Sequence, residues 1–203
     1  AKSAGAKPEA MNAIAGHAHW LNGDLAAAEK ALKSPIAKAD LGYANRILGR
    51  VYLDMNSPNE ARVAFDMGAR LIPKSAELWT DIAIFRWRQF DLIGAIDAAD
   101  KALQLNPKYV PALIERGDMA REQLGPVPAI AFYERALKET PESLPVMTRL
   151  AAAHGGAGRP GAALATTRAM LKKNPKSGAA FYMQGVMAAR AGENDLARVL
   201  LEK

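Results

Sequence analysis

The sequence predicts an all-α protein, a right-handed α-α solenoid built from short helix pairs. Three observations lead there. Alanine, the strongest helix former, supplies 42 of the 203 residues, while aromatics make up 6%. So small a stock of large side chains suits thin layers of closely packed helices rather than one thick core. Four prolines, Pro73, Pro107, Pro141 and Pro175, recur every 34 residues, each after a helical stretch. Six alanines, Ala28, Ala61, Ala95, Ala129, Ala163 and Ala197, recur in the same phase, first 33 residues apart and then 34 each time.

With positions numbered 1 to 34, units start at Glu9, Gly42, Ala76, Val110, Leu144 and Gly178. The second carries Leu48, Gly49, Tyr52, Ala61, Phe65 and Pro73. The third carries Trp79, Ile82, Ala83, Ala95, Ala102 and Pro107. The fourth carries Leu113, Gly117, Ala129, Tyr133, Ala136 and Pro141. This pattern resembles the tetratricopeptide repeat, a 34-residue helix–turn–helix with Trp-x2-Leu-Gly-x2-Tyr, then Ala-x3-Phe, then Ala, then Pro. The resemblance covers residues 9–203 as one repeat domain, preceded by a lead of residues 1–8.

Each element has its reason. Position 8 is Gly16, Gly49, Ala83, Gly117, Ala151 and Gly185, and position 20 is always Ala, so the two helices of a repeat can approach closely. Large residues at positions 4, 7, 11 and 24 are expected to fill the space between repeats. Turns fall near positions 14–17, at Asn22–Asp24, Asn56–Pro58, Leu124–Pro126, Ala157–Pro160 and Ala191–Asn194. Pro58, Pro126 and Pro160 all sit at position 17, the first turn of the second helix, where a missing N–H costs nothing. The proline at position 32 ends that helix. The first repeat is degenerate: it is one residue short, has Pro35 where Ala is expected, and has no closing Pro. That is the pattern of a terminal cap. The sixth stops at Lys203, inside its second helix. Leu196, Val199, Leu200 and Leu201 are expected to face an empty site, so the natural protein is expected to continue, and self-association through that end is one outcome. The start at Ala1 likewise points to a processed form or a segment.

Several chemistries fall away. No apolar run approaches the roughly 18 residues that span a bilayer. Without cysteine there is no disulfide, no thiolate metal site and no thiol catalysis. This leaves the compartment open between cytoplasm and periplasm. Gly156–Gly161 fits G-x-G-x-x-G, but a helix precedes it where a dinucleotide site needs a strand, so it reads as a turn. His17 and His19 point to different helix faces, and His19 and His154 occupy position 11, a core or half-buried slot. No metal site, cofactor or catalytic set is assigned. Glu115, Asp118 and Glu122 share a helix face, with Arg121 among them, and read as a solvated surface.

The formal charge is +6, yet the fifth repeat alone carries six basic residues and no acid. Charge confined to one repeat does not make a nucleic-acid stripe. Lys172 and Lys173 also complement a helix C-terminus.

The resemblance implies a ligand groove on the concave face, lined by positions 2, 5, 9, 12 and 13 of the first helices. Carried over, these positions place Trp20, Tyr43, Arg46, Arg50, Trp87 and Arg88 on one surface, with Asp118 and Arg121 further along. Aromatics with arginines are the composition of binding hot spots. Arg46 and Arg50 are like charges at i,i+4, and Asp54 is the expected counter-charge. The chaperone-binding carboxylate clamp of the family uses Lys and Asn at positions 5 and 9, where this chain has Arg46 and Arg50. The reading is a non-catalytic protein–protein scaffold that holds a peptide or partner helix. Its alternatives are a self-assembling array, or the accessory repeats of a larger enzyme such as a transferase.

Overall fold

Alanine at position 20 sets the spacing of every helix pair. Ala28, Ala61, Ala95, Ala129, Ala163 and Ala197 are all 0–5% exposed. The computed structural model describes residues 8–36 and 40–203, with side chains from residue 11 onward. The expected lead, apart from Pro8, lies outside the described residues, as do the side chains of Glu9 and Ala10.

The described residues form twelve helices. They are α1 (Pro8–Leu21), α2 (Leu25–Lys33), α3 (Leu41–Asp54), α4 (Pro58–Leu71), α5 (Ala76–Arg88), α6 (Leu92–Leu105), α7 (Val110–Leu124), α8 (Pro126–Glu139), α9 (Leu144–Gly156), α10 (Pro160–Lys173), α11 (Gly178–Arg190) and α12 (Asn194–Leu201). The chain divides into two compact units, one ending at Pro107 and the other running from Lys108. The first holds α1–α6 and the second α7–α12. Within each unit, consecutive helices pair as antiparallel hairpins.

Position 24 pairs with position 8 of the same hairpin, and their sizes are matched. A Cβ on Gly49 would lie 2.6 Å from the Phe65 ring, one on Gly117 2.6 Å from the Tyr133 ring, and one on Gly185 2.7 Å from Leu201. Where position 8 is alanine, as at Ala83 and Ala151, position 24 is small, as at Ala99 and Thr167. Interiors at crystal-like density force this exchange of volume. Position 24 was expected to fill space between repeats. It lies first over its own hairpin, although Phe65 also meets Phe85 of the next repeat at a centroid distance of 5.5 Å.

The helix ends follow their prolines. Pro58, Pro126 and Pro160 open α4, α8 and α10. Pro73, Pro107, Pro141 and Pro175 each stand two residues beyond a helix. Pro35 stands two residues beyond α2 and holds it to nine residues, where α4, α6, α8 and α10 each have fourteen. Ser75, Ser143 and Ser177 cap α5, α9 and α11, each hydroxyl accepting the backbone N–H three residues on.

Five of the six hairpin turns close in one way. The N–H at position 15 donates to the carbonyl at position 12, and the N–H at position 16 to the carbonyl at position 11. Thus Gly23 donates to Trp20 and Asp24 to His19, and Gly158 donates to Gly155 and Arg159 to His154. This helix-ending motif places position 15 in the left-handed region. Its φ is 80° at Gly23, 55° at Asn56, 70° at Gly158 and 82° at Gly192. The third hairpin uses Phe90 there, with φ 61°. The Gly156–Gly161 string is the turn between α9 and α10, and no strand occurs among the described residues.

Candidate functional site

In the first unit the first helices of three repeats, α1, α3 and α5, lie side by side. Their shared face carries Trp20, Tyr43, Arg46, Arg50 and Arg88, five of the eight residues expected to bind ligand, with Asp54, Asp81 and Glu77, while a sixth, Trp87, is half-buried near the end of α5. At its centre is Asp81, only 3% exposed. Arg46 Nε donates to Asp81 Oδ2 at 2.5 Å, and Arg50 Nη1 donates to Asp81 Oδ1 at 2.8 Å. Burial pushes the Asp81 carboxyl above its ordinary value, and the two guanidinia offset only part of that rise.

The expected counter-charge, Asp54, is therefore a misassignment. An i,i+4 partner on the same helix is exposed to water. Asp81, one repeat on, reaches both guanidinia from a dry position. Asp54 is engaged elsewhere: it accepts from Trp20 Nε1 at 2.8 Å and lies 3.6 Å from Arg88.

The aromatic groups interlock with this ion cluster. The Arg50 guanidinium lies 4.4 Å from the Trp20 ring centroid, a cation–π contact. His17 stacks on Trp20 at 5.5 Å and meets Tyr43 edge-on at 5.7 Å. Its Nδ1 is hydrogen-bonded to the Tyr43 hydroxyl. Burial, then the charges of Arg46 and Arg50, hold the imidazole below its usual pKa, against an opposing pull from Asp81. Burial also raises the Tyr43 phenol. Glu77 closes the row, its carboxyl lowered by the Ser75 hydroxyl and its own backbone amide. Three arginines thus meet two carboxylates, Asp81 and Asp54, with Glu77 beside them, and each of the three guanidinia has an acid within 4 Å.

The other two expected residues, Asp118 and Arg121, belong to the second unit. Asp118 accepts from the Tyr133 hydroxyl at 2.7 Å and from Arg149 Nε at 2.9 Å, while Arg121 stands 3.9 Å from it. Burial first, then Asp118, pushes the Tyr133 phenol well above its usual value. Asp118 is thus not a bare acid.

The sequence reading passed over three participants. Asp81 sits at position 6, outside the ligand positions. Its signal is spacing, since 31 residues separate it from Arg50, as 31 separate Asp118 from Arg149. Arg149, one of the six basic residues of the fifth repeat, also sits at position 6 and pairs by the same spacing. The third is a shallow apolar hollow of about 210 Å³ between α9 and α11, where Gly155 and Gly156 leave room beside Tyr182, Met183 and Val186. Of the position-11 histidines, His154 is buried as expected, but His19 is exposed. Position 11 packs on the second helix of the preceding repeat, as Tyr52 does on α2 through Glu29, and no helix precedes α1 among the described residues.

No His, Asp or Glu cluster among the described residues has the makings of a metal site. No described helix is long and apolar enough to cross a membrane.

No curated protein matches the chain by sequence. Residues 148–203 match the tetratricopeptide-repeat family. Among solved structures the chain is similar to PilW, a widely conserved type IV pilus biogenesis factor, with 19% identity and a TM-score of 0.81 over 96% of this chain and 91% of PilW. It is similar to MamA, with 26% identity and a TM-score of 0.65 over 79% of this chain and 95% of MamA. It is similar to YrrB, a TPR protein with an unusual peptide-binding site, with 18% identity and a TM-score of 0.64 over 78% of this chain and 82% of YrrB. The fold is the all-α solenoid of these proteins. The 34-residue period, the twelve described helices and this likeness make the chain a tandem array of roughly six tetratricopeptide repeats.

Proposed function

We propose that the chain is a protein-interaction scaffold without catalysis of its own, and that the face of α1, α3 and α5 binds an extended peptide of a partner protein. The observation that carries this is the preformed aromatic–guanidinium cluster. Trp20, Tyr43 and Arg50 are half-buried and mutually fixed by stacking and hydrogen bonds, so a ligand meets them already ordered. The peptide-binding site ascribed to YrrB adds support by likeness of fold. Trp87 and Arg88, at the end of α5, extend the same face and serve as further contacts. Asp118 and Arg121 would serve a contact within the second unit.

The charge balance of the face sharpens the ligand. With three arginines balanced by Asp54, Asp81 and Glu77, the face attracts no strongly acidic partner. Recognition rests on aromatic contact and on guanidinium hydrogen bonds to peptide carbonyls. Affinity should therefore change little from low to high salt.

Peptides selected from a display library on the immobilised chain provide the probe, and calorimetry provides the affinity. Trp20→Ala combined with Trp87→Ala should weaken binding by about 30-fold or more, the scale of a lost hot spot, with helicity retained. Unchanged affinity in this double variant would move the site elsewhere.

A further inference from the structure

The turn between α5 and α6 contradicts its own repeat. Position 15 is forced into the left-handed region by the helix-ending motif, and glycine or asparagine fills it at Gly23, Asn56, Gly158 and Gly192. In the third repeat it is Phe90, whose N–H makes the same bond to the Trp87 carbonyl at 3.0 Å. A bulky L residue resists this backbone region. Burial does not offset the strain, because Phe90 is 87% exposed and Ile93, beside it, is 78% exposed. An aromatic ring held in water on a strained backbone is an outlier that points to an external contact.

A second anomaly lies beside it. Position 11 of the second repeat is Tyr52, which packs on the preceding α2 through its bond to Glu29. Position 11 of the third repeat is Arg86. Its guanidinium turns away to the Gly94 carbonyl at 3.0 Å and toward Asp91. The space a tyrosine would fill between α4 and α5 is left as a cleft of about 430 Å³. Phe65, Trp79, Ile82 and Phe85 line it, and Gln89 and Asp91, the two neighbours of Phe90, form one end. The rim carries Arg62 and Arg86 with Asp66 and Asp91, two charges of each sign.

From these two features we infer that this edge of the first unit is a self-association surface, whose occupant is a second copy of the chain. Phe90 of each copy enters the α4–α5 cleft of the other. A ring and a cleft side by side on one edge meet reciprocally under a two-fold axis. A rim with equal numbers of Arg and Asp is complementary to itself under the same operation, which a foreign acidic or basic partner would not require. The surface is distinct from the α1–α3–α5 face proposed for peptides. The patch is small beside the roughly 1,200–2,000 Å² of a stable interface, so the dimer is weak and reversible.

Sedimentation velocity of the whole chain, from low-micromolar to near-millimolar concentration, tests this. The wild type should shift reversibly from monomer to dimer. Phe90→Gly should raise the dimer dissociation constant about 30-fold or more, as for a lost hot spot, while its Tm stays level or rises because glycine accepts the turn. Ala69→Trp, which fills the cleft from α4, should do the same. The two variants mixed should recover part of the association, since one keeps the cleft and the other keeps the ring. A wild type that stays monomeric throughout overturns the inference, as does Phe90→Gly dimerising like the wild type. If that monomer instead binds anionic-lipid vesicles through Phe90, the occupant is a bilayer and the two-fold contact is wrong. If the mixture associates no better than either variant alone, reciprocity is wrong.

Discussion

The two units solve one problem with opposite signs. In the first, an arginine at position 9, Arg50, reaches an aspartate at position 6 of the next repeat, Asp81, at 2.8 Å. In the second, an aspartate at position 9, Asp118, receives an arginine from position 6 of the next repeat, Arg149, at 2.9 Å. Repeat stacking brings positions 9 and 6 together and leaves the polarity free. What differs is the surroundings. Asp81 is dry and holds two guanidinia. Asp118 is 22% exposed at its side chain and takes one guanidinium and a phenol. The first arrangement locks an aromatic face, and the second ties a surface to the core through Tyr133.

Removing the acids separates the two arrangements most sharply. Asp81→Ala leaves two cations half-buried and facing each other. It should cost about 3 kcal/mol, at the low end for a broken buried pair because both arginines retain some solvent. Asp118→Ala leaves the Tyr133 hydroxyl without an acceptor and frees an already half-exposed Arg149. It should cost about 1–2 kcal/mol. Repeat arrays need not unfold in one step, so hydrogen exchange resolved by helix is the measurement. Loss of protection should be confined to α3 and α5 in one variant and to α7 and α9 in the other. Equal costs would erase the distinction between the dry and the wet pair.

A polarity swap is milder. Asp118→Arg with Arg149→Asp turns the second pair into the polarity of the first. Tyr133 complicates it, since its hydroxyl would lose its carboxylate. In a Tyr133→Phe background the swap should change urea stability by less than about 1 kcal/mol, the range of a partly exposed pair. A larger loss would mean that polarity, and not only position, is specified by the stack.

These pairs mark where one-dimensional reading stops. Helix boundaries could be read because they depend on local residues: proline at the first turn and proline two residues past the end. Close hairpin contact could be read because Gly and Ala recur at positions 8 and 20. The counter-charge of Arg46 and Arg50 was assigned to Asp54, because helical periodicity sees only its own helix. Asp81 comes from the neighbouring helix, and only the stacking register brings it there. Phe90 was hidden for the opposite reason. Turns were found by their glycines and prolines, and the third hairpin makes the same hydrogen bonds without either.

The smallest expected effect is a pH dependence carried by His17. Burial and the charges of Arg46 and Arg50 make the folded imidazole harder to protonate than in the unfolded chain, where its pKa is near 6.5. Below that value the unfolded state binds more protons, so stability rises with pH through the window. It should be complete above about 6.5 and decline as pH falls toward the lower folded pKa. A proton on His17 would also add a cation beside Arg50 and disturb its stack on Trp20. Thermal unfolding of the wild type and of His17→Gln, followed from about pH 7.5 to about pH 5, isolates this part. The wild type should lose more on acidification than the glutamine variant. Parallel curves would mean that His17 is as easily protonated folded as unfolded, and that the aromatic face of the first unit is more open to water than its stacking and hydrogen bonds imply.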